Sequence, residues 1–240
     1  MTSSEIGTTS FKRQRGEKSL SAGKRRRCLS PPRCNNILRD DAGLPNSLPD
    51  PSITVDPDDY LFQLMKCMTG VALRQQPGLE MNNFFAPVTE EQIASYTMDV
   101  ASATRKNDIS TLKHMSGSQG MRLNCCNRFG ETLLHIASRR GYSDMVEYLL
   151  NEPNVSVRVI DDTGRTPIHD AIWNPMPQTD ICRWIIERDP SLLFVKDKRG
   201  FTPLAYSRPE HWKTWRQFLF DNRQCLQRLS MDQDARKRFS

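Results

Sequence analysis

GETLLHIA at 130–137, GRTPIHDA at 164–171 and GFTPLAYS at 200–207 are three versions of one phrase, beginning 34 and then 36 residues apart. Self-similarity at such a period is the mark of a stacked array of small structural units. Each version opens on a Gly suited to a tight turn and continues with a Thr able to cap a helix. Two of them then carry a Pro fit for a first helical turn, and small and apolar residues follow. The phrase therefore predicts a turn followed by a helix. Gly, Thr and the apolar position behind the Pro site recur in all three versions. A frame built by repetition points to binding in preference to catalysis.

A chain of 240 residues has room for one ordinary domain plus tails, and a hydrophobic content of 37% predicts that part of it is unfolded. No stretch reaches the length of an apolar membrane span. The opening MTSSEIGTTSFKRQRG lacks an apolar signal core, so the expectation is an intracellular protein. The seven Cys, at 28, 34, 67, 125, 126, 182 and 225, contain no C-x-x-C pair. They read as reduced thiols, with neither a disulfide framework nor a zinc site.

Charge is unevenly placed. Residues 1–39 hold ten Lys and Arg against two acids, so a total of +6 leaves residues 40–240 with a net charge of −2. Basicity belongs to the tail, and the folded part has no excess positive charge with which to hold phosphates.

Four segments follow from composition and periodicity. Residues 1–50, rich in Ser, Arg, Lys, Pro and Gly, read as a disordered basic tail. Residues 51–92 form a short helical extension. In it Tyr60, Leu61, Leu64, Met65 and Met68 make one apolar stripe behind Asp58 and Asp59, and that stripe needs a cover. Residues 70–87, around Phe84 and Phe85, read as a loop pinned onto the array. Residues 93–230 form the repeat domain, and 231–240 a C-terminal tail.

Thr89 with Gln92 is a capping box that signals a helix start. Shifting the second copy back by one period sets Ala137 on Ala103, Gly141 on Asn107, Val146 on Leu112 and Leu149 on Met115. An eroded first copy thus emerges without its turn phrase, as suits a terminal unit with one neighbour. The second helices also repeat, Asp144 to Leu150 in one copy and Asp180 to Ile186 in the next. The two additional residues of the longer step fall in NPMP at 174–177, a lengthened loop. Trp212, Trp215, Phe218, Leu219, Leu226 and Leu229 predict one or two closing helices whose Trp residues serve the core.

The array resembles ankyrin repeats, whose signature is a turn carrying G-x-T-P-L-H-x-A, a helix, a short turn and a second helix. GRTPIHDA departs from that phrase only at Ile168, GETLLHIA lacks only the Pro, and GFTPLAYS has Ala205 where His is usual. The resemblance spans about 95 to 230 and implies an all-α solenoid of about four stacked helix-turn-helix units with short β-turn or hairpin connections. It also implies a non-catalytic protein–protein interaction module, an intracellular adaptor or regulator. His135 and His169 are then struts that bond their own turn and the neighbouring backbone, with no metal and no cofactor. Nucleotide and hydrolase motifs are absent from the chain.

In such repeats a concave face displays variable residues on a fixed frame. Carried onto this sequence, the partner-binding positions are Arg128, Phe129, Glu131, Arg139 and Arg140, then Asp162, Thr163, Arg165, Trp173 and Asn174, then Lys198, Arg199 and Phe201. Phe129, Trp173 and Phe201 are the hot-spot candidates. The alternative is that residues 56–87 fold back over these rings. The Arg residues favour an acidic or phosphorylated partner.

The tail adds a second site. Lys12 and Arg13, a ten-residue spacer, and Lys24, Arg25, Arg26 and Arg27 have the spacing of a bipartite nuclear-import signal for an import carrier. Arg27, Ser30 and Pro32 form a phosphosite pattern readable by a 14-3-3 protein. The expected location is nuclear, cytoplasmic or both. The competing function is a nucleic-acid-associated nuclear protein that binds through this tail.

Overall fold

The structure, a computed structural model, describes residues 48–70, 76–77 and 83–231. Three stacked helix pairs form its centre: α3 (Met98–Arg105) with α4 (Ile109–Gln119), α5 (Leu133–Arg140) with α6 (Ser143–Asn151), and α7 (Pro167–Trp173) with α8 (Thr179–Arg188). Before them come α1 (Pro57–Thr69), the two-residue strand β1 (Gln76–Pro77) and the short α2 (Glu90–Ala94). After them come β2 (Val195–Lys196), α9 (Trp212–Asp221) and α10 (Arg223–Met231). The all-α solenoid implied by the repeated phrase is the fold observed.

Local chemistry starts and stops these helices. Thr132 and Thr166 hold capping boxes with the His three residues on, and Pro167 occupies the first turn of α7, where its missing N–H costs nothing. Gly141 ends α5 at φ 71°. At the equivalent place of the eroded first copy stands Asn107, at φ 58°, a residue that tolerates the left-handed region better than most. Ala103 and Leu112 are buried as the shifted alignment requires, and Met115 packs half-buried against the same core.

One continuous core runs through the stack. Leu133, Ala137, Met145, Val146 and Leu149 of one pair, and Ile168, Ala171, Ile181, Ile185 and Ile186 of the next, are fully removed from solvent. Each large apolar side chain so buried contributes about 1.5–3 kcal/mol. Helices α5 and α7 lie against each other far more closely than α6 and α8 do. The first helices thus form the more tightly packed side of the stack, which in a solenoid is the inner one.

The last copy departs from expectation. GFTPLAYS does not begin an α-helix; Leu204–Tyr206 is a single 3-10 turn. Pro209 supplies the reason: it offers no N–H to a helix and disfavours helical backbone in the residue before it. Arg208 is accordingly extended, at φ −81° and ψ 140°. The closing helices are α9 and α10, with Trp215, Phe218, Leu219, Leu226 and Leu229 buried and Trp212 half-buried.

The segment before the repeats runs back along them. Asp56 caps α1 by accepting from Asp58 N and Asp59 N at 3.0 and 2.9 Å. Its apolar stripe of Tyr60, Leu61, Leu64 and Met65 is buried against α9, α10 and the 204–206 turn. Phe62 meets the Phe194 ring edge-on at 5.5 Å between centroids. The buried Arg216 guanidinium donates to Pro51 O at 2.8 Å and Val55 O at 2.7 Å. Downstream, β1 pairs in parallel with β2, Gln76 opposite Val195. Phe84 then lies under the Arg158 guanidinium, and Ala86 N donates to Arg158 O. Gln92 finally exchanges bonds with Asn124 O and Cys126 N, beside an Arg122–Glu91 ion pair of 2.6 Å. These contacts follow the connections behind the second helices, from last to first.

Candidate functional site

The turn tips are built alike. In Asn127–Glu131, Asp161–Arg165 and Asp197–Phe201 the first side chain accepts the N–H groups two and four residues on, at 2.9–3.1 Å. The glycines at 130, 164 and 200 take φ of 75°, 79° and 82°, a region where a Cβ is strained. Neighbouring tips are joined through their backbones: Asp162 N donates to Phe129 O at 2.7 Å and Lys198 N to Thr163 O at 2.9 Å. A Cβ on Gly130 would stand 2.7 Å from Ile160 O. The sequence carried a signal for this device, an Asn or Asp three residues before each Gly, that the phrase-based reading passed over.

Each repeated His is wired from its own turn to the next tip. His135 Nδ1 faces Thr132 N at 3.2 Å and Thr132 Oγ1 at 2.9 Å, and its Nε2 meets Arg165 O at 3.0 Å. His169 repeats the pattern with Thr166, and its Nε2 meets Phe201 O at 3.3 Å. With Nδ1 accepting from the Thr backbone N–H, Nε2 carries the proton and donates to the carbonyl, which defines a neutral ring. Burial pushes the His169 pKa down to about 4. The final copy has Ala205 at this place, and there the Tyr206 hydroxyl donates to Asp197 of its own tip.

Above the struts lies a chain of alternating charge. Arg139 donates to Glu131 Oε1 at 2.6 Å and to Asp170 Oδ2 at 2.7 Å. Arg165 bonds Asp161 Oδ2 at 3.0 Å, and its other nitrogen stands 4.0 Å from Asp170 Oδ1. Asp170 is 0% exposed and ties three elements together. Burial works against the charge on Arg139, yet Asp170 and Glu131 outweigh it and hold that guanidinium above its ordinary pKa. Three acids and two guanidinia give this network a net charge of −1. The bare count of Arg residues on the inner side overstated its positive character, because two of them are neutralised within the array.

The remaining candidates divide by exposure. Arg128, Phe129, Arg140, Asp162, Thr163, Lys198 and Arg199 are exposed, while Trp173, Asn174 and Phe201 are half-buried. Phe129 keeps 46% of its surface open, with the Arg128 guanidinium 4.6 Å from its ring centroid. Arg199 stands 5.3 Å over Phe201, whose ring packs edge-on against Tyr206. Asn174 is engaged in shaping the loop, donating to Arg139 O at 3.0 Å. Met176, 63% exposed in the NPMP loop, adds an apolar side chain that sequence reasoning did not single out. The described contacts of the extension fall on α9, α10, β2, Thr202, the 204–206 turn, Arg158 and residues 122–126, so that it reaches the third copy of the phrase beside Phe201. Lys12, Arg13, Lys24 to Arg27 and Ser30 lie outside the described residues.

Comparison with known proteins agrees with this architecture. The family model described as ankyrin repeats matches residues 100–193 in three copies. The BTB/POZ domain-containing protein 1 of Schizosaccharomyces pombe is 33% identical over 91 residues, covering 37% of this chain and 7% of that protein. Rabankyrin-5 of Mus musculus is 38% identical over 78 residues, covering 32% and 6%. A putative glutaminase 2 of Caenorhabditis elegans is 37% identical over 67 residues, covering 28% and 11%. The matches thus span about a tenth or less of those relatives' lengths. An ankyrin repeat domain solved from Acinetobacter baumannii aligns over 51% of this chain and 62% of its own, at 24% identity and a TM-score of 0.44. Residues 100–193 are ankyrin repeats, a fold whose general use is protein–protein interaction.

Proposed function

We propose that the ankyrin repeats of this chain hold a protein partner on the inner side of the array, through the tips at 128–131, 162–165 and 198–201 and the adjoining ends of α5 and α7. The reading places it as a non-catalytic intracellular adaptor or regulator. The observation that carries it is the contrast between frame and display. The Asx-turns, the His struts and the Asp170 network fix the backbone, while Arg128, Phe129, Arg140, Lys198 and Arg199 stand exposed upon it. A rigid frame holds these side chains in place before binding, which lowers the ordering cost of association. Large rings beside guanidinia are the residue types that dominate interface energetics.

Proximity labelling in cells tests this, comparing the parent with a variant carrying Phe129→Ala, Trp173→Ala and Phe201→Ala at matched thermal stability. Loss of a defined set of labelled proteins supports the reading; an unchanged set removes it. The basic segment at 12–13 and 24–27 is proposed to direct nuclear import, and phosphate on Ser30 to weaken it and recruit a 14-3-3 protein. Replacing Lys24 to Arg27 by Ala should then shift a tagged protein out of the nucleus, and an unaltered distribution removes the import proposal.

A further inference from the structure

The C-terminal ends of the first helices form an edge that is sewn from one unit to the next. The Arg105 carbonyl at the end of α3 accepts from the Tyr142 hydroxyl at 3.2 Å, and the equivalent Arg139 carbonyl near the end of α5 accepts from Asn174 Nδ2 at 3.0 Å. Beyond α7, Pro175 O faces His211 Nε2 at 3.1 Å. A Cβ on Gly141 would meet the Gln178 side chain at 2.8 Å, so the second and third units are already in close contact here. The spacing of the units along this edge is set before anything binds.

What the edge displays changes along its length. One position holds Arg105, Arg139 and Trp173 in successive units, and the next holds Lys106, Arg140 and Asn174. Arg139 is consumed by Glu131 and Asp170, and the Arg105 guanidinium stands 3.5 Å from the Tyr96 hydroxyl. Lys106 and Arg140 are exposed and in no ion pair among the described residues. Asp108, two residues past Lys106, spends its oxygens on Ser110 and Thr111. In the third unit charge gives way to half-buried Trp173 and to Met176, 63% exposed. The edge therefore runs from two equivalent cations to an apolar patch. Packed helices stand about 10 Å apart and an extended chain advances about 3.3 Å per residue, so about three residues carry a bound strand from one unit to the next.

We propose that this edge binds an extended segment of a partner protein carrying two acidic residues and one large apolar residue, each about three positions from the next, with the apolar residue at one end. The acids meet Lys106 and Arg140, and the apolar side chain covers Met176 beside Trp173. Charge complementarity then sets the register of the segment, and the apolar contact adds affinity. The proposal rests on the reading of the inner side as the partner-binding one, and adds to it the chemistry and order of the bound segment. Nucleic acid is a poorer occupant, because residues 40–240 carry a net charge of −2 and Asp144 stands exposed four residues past Arg140.

Fluorescence anisotropy with the full chain tests it, using three labelled peptides of identical composition with two Glu and one Leu at that spacing among Ser and Gly. Two of them place Leu at one end or the other, so that either chain direction is covered, and the third places Leu between the Glu residues. The basic residues of 1–39 meet the same charge in all three. One of the first two should bind about fivefold tighter than the third, with affinity falling as salt rises. Lys106→Glu combined with Arg140→Glu should abolish that preference and Met176→Ser should reduce it, while far-UV circular dichroism stays unchanged, since all three side chains are exposed. No binding, equal affinity for the three peptides, or a preference that survives the charge reversal overturns the proposal. So does a single-stranded oligonucleotide whose binding the charge reversal weakens as strongly as it weakens the peptide's. Cellular partners lost with Phe129→Ala but kept with the Lys106 and Arg140 reversal would leave the broader recognition reading standing and remove this one.

Discussion

Asp170, in the first turn of α7, receives the Arg139 guanidinium of α5 at 2.7 Å while itself withdrawn from solvent. A charge thus ties one repeat to the next at the edge of the surface that displays the candidate contacts. Breaking such a pair strands the remaining charge in a partly dry setting, and the cost exceeds that of an exposed ion pair. Asp170→Ala should lower stability by about 2 kcal/mol. In urea titrations the Asp170→Ala, Arg139→Met double variant should lose less than the sum of the two single losses. Strict additivity would show that the pair does not couple the repeats.

Gly130 and Gly200 occupy the same turn position but not the same surroundings. Both have positive φ, so Ala at either carries backbone strain of about 1–2 kcal/mol. At Gly130 the new Cβ also meets Ile160 O at 2.7 Å, whereas at Gly200 nothing lies within 4 Å. Gly130→Ala should therefore destabilise clearly more than Gly200→Ala in chemical denaturation. Equal losses would mean that the tips are not in close register.

Buried His169 and half-buried Asp58 give stability opposite slopes with pH. The His169 pKa falls from 6.5 to about 4 on folding, so its contribution is complete above pH 6.5 and is lost as pH falls toward 4, to an extent on the order of 3 kcal/mol. Asp58, whose Oδ1 accepts from Thr202 Oγ1 at 2.8 Å, is raised by burial from 3.8 to about 7. Its contribution is complete below pH 3.8 and lost as pH rises toward 7. Asp58→Asn should gain on the parent as pH is raised from 4 to 7.5, measured by thermal unfolding across that range. A gap that stays constant with pH would contradict the burial of that carboxyl.

Helix α1 closes the far end of the array even though it precedes the repeats in the chain. Leu61 and Leu64 are fully buried there, and Leu64→Ala should cost about 2–4 kcal/mol. In a stack each unit feels mainly its neighbours. Hydrogen exchange should therefore accelerate in α9 and α10 well before α3 and α4. Uniform acceleration across all helices would show that the cap and the array unfold as one unit.

The repeated phrase made the stack, the His struts and the eroded first copy legible, because each depends on residues close in sequence. Asn107 in place of a glycine and the loop at 174–177 were readable for the same reason. What sequence missed depends on partners far along the chain. The stripe of α1 announced that something must cover it, but nothing local names α9 and α10. Gln76–Pro77 reads as a loop because Pro resists strands, yet a two-residue edge pairing leaves its missing donor harmless. Arg139 reads as a free recognition charge in sequence, whereas Asp170, 31 residues on in the next repeat, holds it.

The most direct test of recognition by the tips is photo-crosslinking in cells from single sites. A photoreactive phenylalanine analogue would stand in turn at Phe129, exposed on the first tip, and at Glu147, exposed on α6. Discrete adducts from position 129, with none shared by position 147, are the expected result. The same adducts from both positions, or from 147 alone, would contradict it.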